Sequence, residues 1–190
     1  MALKKIKTAI FISGTGSNLK NLFKFSLTKK SPIIISFVVT NNEDAKGIIF
    51  SKKNNIESKI YKYFNKSNAE NKILKDLNKK KIDLICLAGF MKILSKSFIK
   101  KFKGKILNVH PSLLPKYKGL NTHQRIIDNK EKYSGCTVHF VNSKLDSGKI
   151  IIQKKVKVLK NDTANSLAKR ILREEHILYP KALNKLYFNL

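Results

Sequence analysis

"KTAIFISGTGSNLKNLFKFSLTKK", Lys7 to Lys30, begins apolar and β-branched, crosses two glycines, and continues with leucines and phenylalanines at helical spacing. The pattern is strand, tight loop, helix. An apolar run without alternation suits a strand covered on both faces, and a helix straight after it suits a parallel crossover. The same grammar recurs along the chain. "PIIISFVVTNN" (32–42), "IDLICLAGF" (82–90) and "KILNVH" (105–110) read as further strands, and "ESKIYKYF" (57–64) as a weak edge strand. Helical patterns fill 43–55, 68–81, 95–102 and 121–130, and "CTVHFV" and "KIIIQKKVKV" add two late strands. A terminal helix opens at Asp162 or Thr163 as cap, with a second segment after Pro180. These elements predict an α/β fold: one domain over 1–190, with a Rossmann-like, mainly parallel twisted sheet and helices on both faces.

Bulk properties narrow the class. The 190 residues are 42% hydrophobic, enough for a substantial core. The formal charge of +28 comes almost wholly from lysine. A polyanion partner would explain it, but the lysines are spread along the whole chain, and arginine, the planar fork that reads phosphates and bases, occurs only at 125, 170 and 173. A solvated lysine coat with no specific nucleic-acid partner is the better account. Cys86 and Cys136 sit in apolar runs and read as buried thiols, and no metal-ligand spacing occurs. The basic start "MALKKIKTAIFIS" has a short apolar run without a cleavage pattern, and no stretch is long enough to span a bilayer. A cytoplasmic protein is expected.

Two loci carry chemistry. "SGTGSN", Ser13 to Asn18, lies where a strand feeds a helix. Glycine there permits a positive φ and close backbone approach, and free amides at a helix start attract an anion. Ser17 and Asn18 could cap the helix and also bond a phosphate. The loop matches neither a P-loop nor GxGxxG, so its position at a strand's carboxyl end is the stronger argument.

The second locus is "GKILNVHPSLLPKYKG", Gly104 to Gly119. Alternate strand residues share a face, so Asn108 and His110 point the same way at the end of their strand. Asp146, in "VNSKLDSGKI", is the plausible carboxylate, since the chain has only 12 acidic residues. Together they offer an amide donor, a proton, and a negative charge that favours the protonated imidazole. Such a set suits a carbonyl whose oxygen gains charge under attack. No serine or cysteine nucleophile stands beside it, so the attacking group belongs to the substrate, and the chemistry is direct acyl transfer to an amine.

"FISGTGSNL", "LAGFMKILS", "ILNVHPSLLPKYKG", "CTVHFVNSKLDSG" and "EEHILYP" together resemble the folate-dependent glycinamide ribonucleotide formyltransferases of purine synthesis. The resemblance implies formyl transfer from 10-formyltetrahydrofolate to the amine of 5-phosphoribosylglycinamide, with Asn108, His110 and Asp146 catalytic and no metal. It implies that Gly16, Ser17 and Asn18 hold the substrate phosphate and that Glu175 faces the nucleotide substrate. It places the folate against Met91, Lys92, Ile93, Leu94, Asn108, Phe140 and Val141. Lys92 replaces a common arginine, and Lys66 or Asn68 occupies the place of the family's folate-contacting arginine. The resemblance also suggests a cis Leu114–Pro115 bond. His123, His139 and His176 are assigned packing or supporting roles. Three alternatives remain. Aminoacyl-tRNA formyltransferases carry a further C-terminal domain and lack the glycine loop, and formyltetrahydrofolate hydrolases usually carry an extra N-terminal domain. An RNA-binding module would need exposed aromatics, whereas Phe37, Phe140 and Tyr133 fall in apolar patterns.

Overall fold

The computed structural model describes residues 5–188. Met1–Lys4 of the basic start, and the last two residues of the terminal segment, lie outside the described residues. Thirteen elements follow in order: β1 (Ile6–Ile12), α1 (Ser17–Ser26), β2 (Ile33–Thr40), α2 (Lys46–Lys53), β3 (Ser58–Ile60), α3 (Lys66–Lys79), β4 (Leu84–Leu87), α4 (Lys96–Lys101), β5 (Lys105–His110), α5 (Thr122–Asp128), β6 (Tyr133–Phe140), β7 (Ile150–Lys157) and α6 (Ala164–Phe188). The strands form one seven-stranded sheet in the order β3-β2-β1-β4-β5-β6-β7. β1 pairs parallel with β2 and β4, β2 pairs parallel with β3, and β6 pairs antiparallel with β7. The expected α/β class, with its mainly parallel sheet flanked by helices, is the observed one. Internal packing divides the chain into two compact units, Met1–Leu107 and Asn108–Leu190.

In the first unit, the continuous apolar strands are buried as their composition requires. Ala9, Ile10, Phe11 and Ile12 of β1, and Leu84, Ile85 and Cys86 of β4, are wholly buried. Helix α1 adds Leu19 and Leu22 from one face. Truncating such a side chain to alanine typically costs about 2–5 kcal/mol. The chain leaves β1 toward β2 and β3, then returns to β4 on the other side of β1. The carboxyl ends of β1 and β4 therefore flank a topological switch point, where open α/β sheets bind ligands.

In the second unit, α6 packs on β6 and β7. It opens at Thr163, whose hydroxyl accepts from Ser166 N–H at 3.1 Å while Ser166 Oγ accepts from Thr163 N–H at 2.9 Å. These reciprocal bonds satisfy end donors that a helix leaves unpaired. The expected break at Pro180 does not occur: α6 is one helix of 25 residues with Pro180 inside it. Proline removes a bond and crowds the preceding turn, but Leu178, Tyr179, Ala182 and Leu183 around it are buried. Packing on both sides of the proline outweighs the local defect. Among the described residues no helix is long and apolar enough to cross a membrane.

The two edges of the sheet differ. β3 has only three residues. β7 is longer, and it carries exposed Lys154, Lys155 and Lys157.

Candidate active site

At the end of β5, the pleat places Asn108 and His110 within reach of one carboxylate. Asp146 Oδ2 lies 3.3 Å from His110 Nδ1, and Asp146 Oδ1 accepts from Asn108 Nδ2 at 3.5 Å. Gly119 N–H donates to Asp146 Oδ2 at 2.9 Å. Asp146 holds this position with φ of 44°, a left-handed conformation that aspartate tolerates better than most residues. The other imidazole nitrogen, Nε2 of His110, donates to the Tyr117 carbonyl at 2.8 Å. Both ring nitrogens thus face acceptors, which fixes the plane of the ring.

The turn that follows is tied down by one buried hydroxyl. Thr137 Oγ1 donates to the Ser112 carbonyl at 2.6 Å and accepts from Leu114 N–H at 3.2 Å and Gln153 Nε2 at 2.9 Å. Gln153 also donates to the Leu114 carbonyl at 2.8 Å. The Leu114–Pro115 peptide is cis.

His139, assigned only a supporting role from sequence, is part of this cluster. It is 2% exposed, and its Nδ1–H donates to the Phe140 carbonyl at 2.8 Å. Nε2 is then free to accept from Asn108 Nδ2, 3.4 Å away, and it lies 3.7 Å from Asp146 Oδ1. Burial holds the His139 pKa below its usual range, against the pull of the Phe140 carbonyl and the Asp146 charge. A neutral His139 leaves the carboxylate to His110 and keeps the Asn108 amide nitrogen turned inward. His123 on α5 is also disfavoured as a cation, first by burial and then by the nearby His110. The one cue in the sequence was a histidine inside an otherwise apolar strand. The Tyr117 carbonyl, a backbone group, left none.

The glycine loop of the first unit has the expected shape but a different cap. The N-cap of α1 is Gly16, at φ 70° and ψ 29°, rather than Ser17 or Asn18. A glycine cap offers no side-chain acceptor, so the first-turn amides depend on other partners. The loop packs closely: a Cβ on Gly16 would lie 2.9 Å from Gly47 Cα, and Gly47 N–H donates to the Gly14 carbonyl at 3.3 Å. After β4, Met91 and Ile93 are each 63% exposed while Leu94 is buried. Lys66 lines a separate cavity of about 330 Å³ with Glu70, Ser95 and Lys101, and Asn68 N–H is taken by the Asn65 cap. In the second unit Phe140 and Val141 are half-buried, and Glu175 on α6 is 7% exposed.

Residues 6–183 match the formyl transferase family. The chain belongs to that family. It is 41% identical over 177 residues to a phosphoribosylglycinamide formyltransferase of Haemophilus influenzae, covering 92% of this chain and 84% of that one. It is 40% identical over 183 residues to the trifunctional purine biosynthetic protein adenosine-3 of Bos taurus, covering 95% of this chain but only 18% of that one. The crystal structure of phosphoribosylglycinamide formyltransferase from Brucella melitensis superimposes with a TM-score of 0.90 at 43% identity, covering 96% of each chain. Membership of that family favours an enzyme over an RNA-binding module, and the chain spans only 18% of the length of the trifunctional relative.

Proposed function

We propose that the protein transfers the formyl group of 10-formyltetrahydrofolate to the glycinamide amine of 5-phosphoribosylglycinamide, a step of purine synthesis. The chain acts as one catalytic domain over residues 1–190, in the cytoplasm, without a metal and without a specific nucleic-acid partner. The convergence of His110 and Asn108 on Asp146 is the observation that carries this reading.

The neutral amine attacks the formyl carbon, the carbonyl electrons move to oxygen, and a tetrahedral adduct forms. The carbon–N10 bond then breaks, the amine nitrogen gives up one proton, and N10 gains one. His110 supplies a proton toward the developing oxyanion, and Asn108 gives up its long 3.5 Å contact with Asp146 to donate that amide hydrogen to it. Asp146 holds the imidazole in orientation and balances its charge. To act on substrate, His110 must release one partner, and the neutral Tyr117 carbonyl is the weaker hold because the carboxylate bond is charge-assisted. Gly16, Ser17 and Asn18 take the phosphate at the start of α1, and Glu175 meets the nucleotide. Met91, Lys92, Ile93 and Leu94, with Asn108, Phe140 and Val141, contact the folate.

The test is an assay of purified protein with both substrates, following tetrahydrofolate release and formylated product. Turnover that needs both substrates and yields equal amounts of the two products supports the proposal. Release of free formate without formylated product would overturn it in favour of a hydrolase.

A further inference from the structure

Ser13, the residue between β1 and the glycine loop, is 9% exposed, and every hydrogen-bonding group it owns is used. Its N–H donates to the Gly89 carbonyl at 3.1 Å, and its carbonyl accepts from Asn42 Nδ2 at 3.0 Å. Its hydroxyl donates to Asn41 Oδ1 and accepts from Met91 N–H at 2.8 Å. One residue therefore ties the end of β1 to the turn after β4, across the switch point. Both tied segments contain a glycine at positive φ, Gly16 at 70° and Gly89 at 79°. Glycine in that region is cheap to form and loses much freedom when fixed.

We propose that Ser13 is a positioning residue that couples the glycine loop to the Gly89–Leu94 turn, so that a ligand on one raises the affinity of the other. This rests on the assignment of phosphate and folate to those two segments. The hydroxyl has one proton, and Asn41 takes it, which aims the oxygen lone pair at Met91 N–H. A ligand that orders the glycine loop fixes Ser13, and Ser13 then fixes the Met91 amide before the second ligand arrives. The ordering cost is met once for both ligands. Coupling is reciprocal, so each ligand changes the other's affinity by the same factor.

Calorimetry measures the Kd of 5-phosphoribosylglycinamide with and without saturating tetrahydrofolate, which lacks the formyl group and so does not react. The ratio of the two values is expected to be about fivefold or more in the wild type and near one in Ser13→Ala. Ser13→Thr, which keeps the hydroxyl, keeps the ratio. In amide NMR spectra the ribonucleotide alone moves the Met91 N–H of the wild type and leaves that of Ser13→Ala in place. If Ser13→Ala does not fold, Asn41→Ala carries the same expectation, because it leaves the hydroxyl free to turn from Met91. A wild-type ratio of one, an unchanged ratio in Ser13→Ala, or a ratio lost equally in Ser13→Thr overturns the coupling while leaving the formyl-transfer reading intact. Failure of the wild type to bind either ligand overturns both.

Discussion

His110 Nδ1 faces Asp146 Oδ2 at 3.3 Å, with the side chains 7% and 8% exposed. The pair is largely shielded from water, so the carboxylate is held against the ring's hydrogen-bonding edge. Asp146→Asn keeps the size and one acceptor but removes the charge. General acid catalysis contributes about 10²–10⁴-fold, and turnover is expected to fall within that range or beyond it. Binding of the ribonucleotide should survive, since its phosphate is assigned to the glycine loop. Single-turnover formyl transfer across pH is the measurement. Superimposable pH profiles for the two proteins would reduce Asp146 to a turn residue.

Gly16→Val is expected to weaken ribonucleotide binding and also to destabilise the fold. Its Cβ would meet Gly47 Cα at 2.9 Å, and φ of 70° is unfavourable for a β-branched residue by about 1–2 kcal/mol. Gly14→Ala is the control, because nothing lies within 4 Å of the added Cβ. Melting temperature and ribonucleotide Kd, read on both variants, separate the close approach at Gly16 from a general effect of loop substitution.

Thr137→Val keeps shape and removes the hydroxyl that holds Ser112, Leu114 and Gln153. Thr137 is wholly buried, so its partners lose a bond that water cannot replace. The expected loss is about 1–3 kcal/mol in a urea titration. Turnover should fall as well, since the same turn carries the Tyr117 carbonyl to His110. An unchanged midpoint would show that the turn holds itself.

Acid should destabilise the protein well above the carboxylate range. Burial lowers the pKa of His123, His139 and His176. Each therefore takes a proton more readily in the unfolded chain, where histidine titrates near about 6.5. Their contribution is complete above that value and declines as pH falls through it toward the folded values. Urea midpoints between pH 8 and pH 5 should drop, and His176→Asn should drop less. A flat profile would mean these rings take up protons equally in the folded and unfolded chain.

The lysine coat should behave as a generic polycation. RNA binding is expected to be weak, to vanish steeply with salt and to show no sequence preference. Tight, salt-resistant and sequence-selective binding would assign the coat a partner.

The legible parts of this protein are those with a period or a punctuation mark. Apolar runs broken by glycine mark β1, the loop and α1, and two-residue alternation puts Asn108 and His110 on one side of their strand. Asp146 was reachable because acidic residues are scarce in so basic a chain. His139 was legible only as an oddity in an apolar strand, since its bond to Asn108 joins residues 31 positions apart. Ser13 is one letter before a glycine, and its partners at 41 and 91 are set by the crossover. Pro180 shows the opposite failure: a strong local signal that buried neighbours override.

The rims of the sheet bear on how the molecule lives in a crowd. An open strand edge is a template on which another chain can pair. One rim here, β3, is too short to serve, and the other presents Lys154, Lys155 and Lys157 to any arriving strand. With a formal charge of +28, a second copy approaching that rim meets like charge at close range. Salt weakens this guard, because at 1 M the screening length falls to about 3 Å. Concentrated stocks should therefore stay clear in dilute buffer and turn cloudy as ionic strength rises, the reverse of a protein kept apart by its hydration alone.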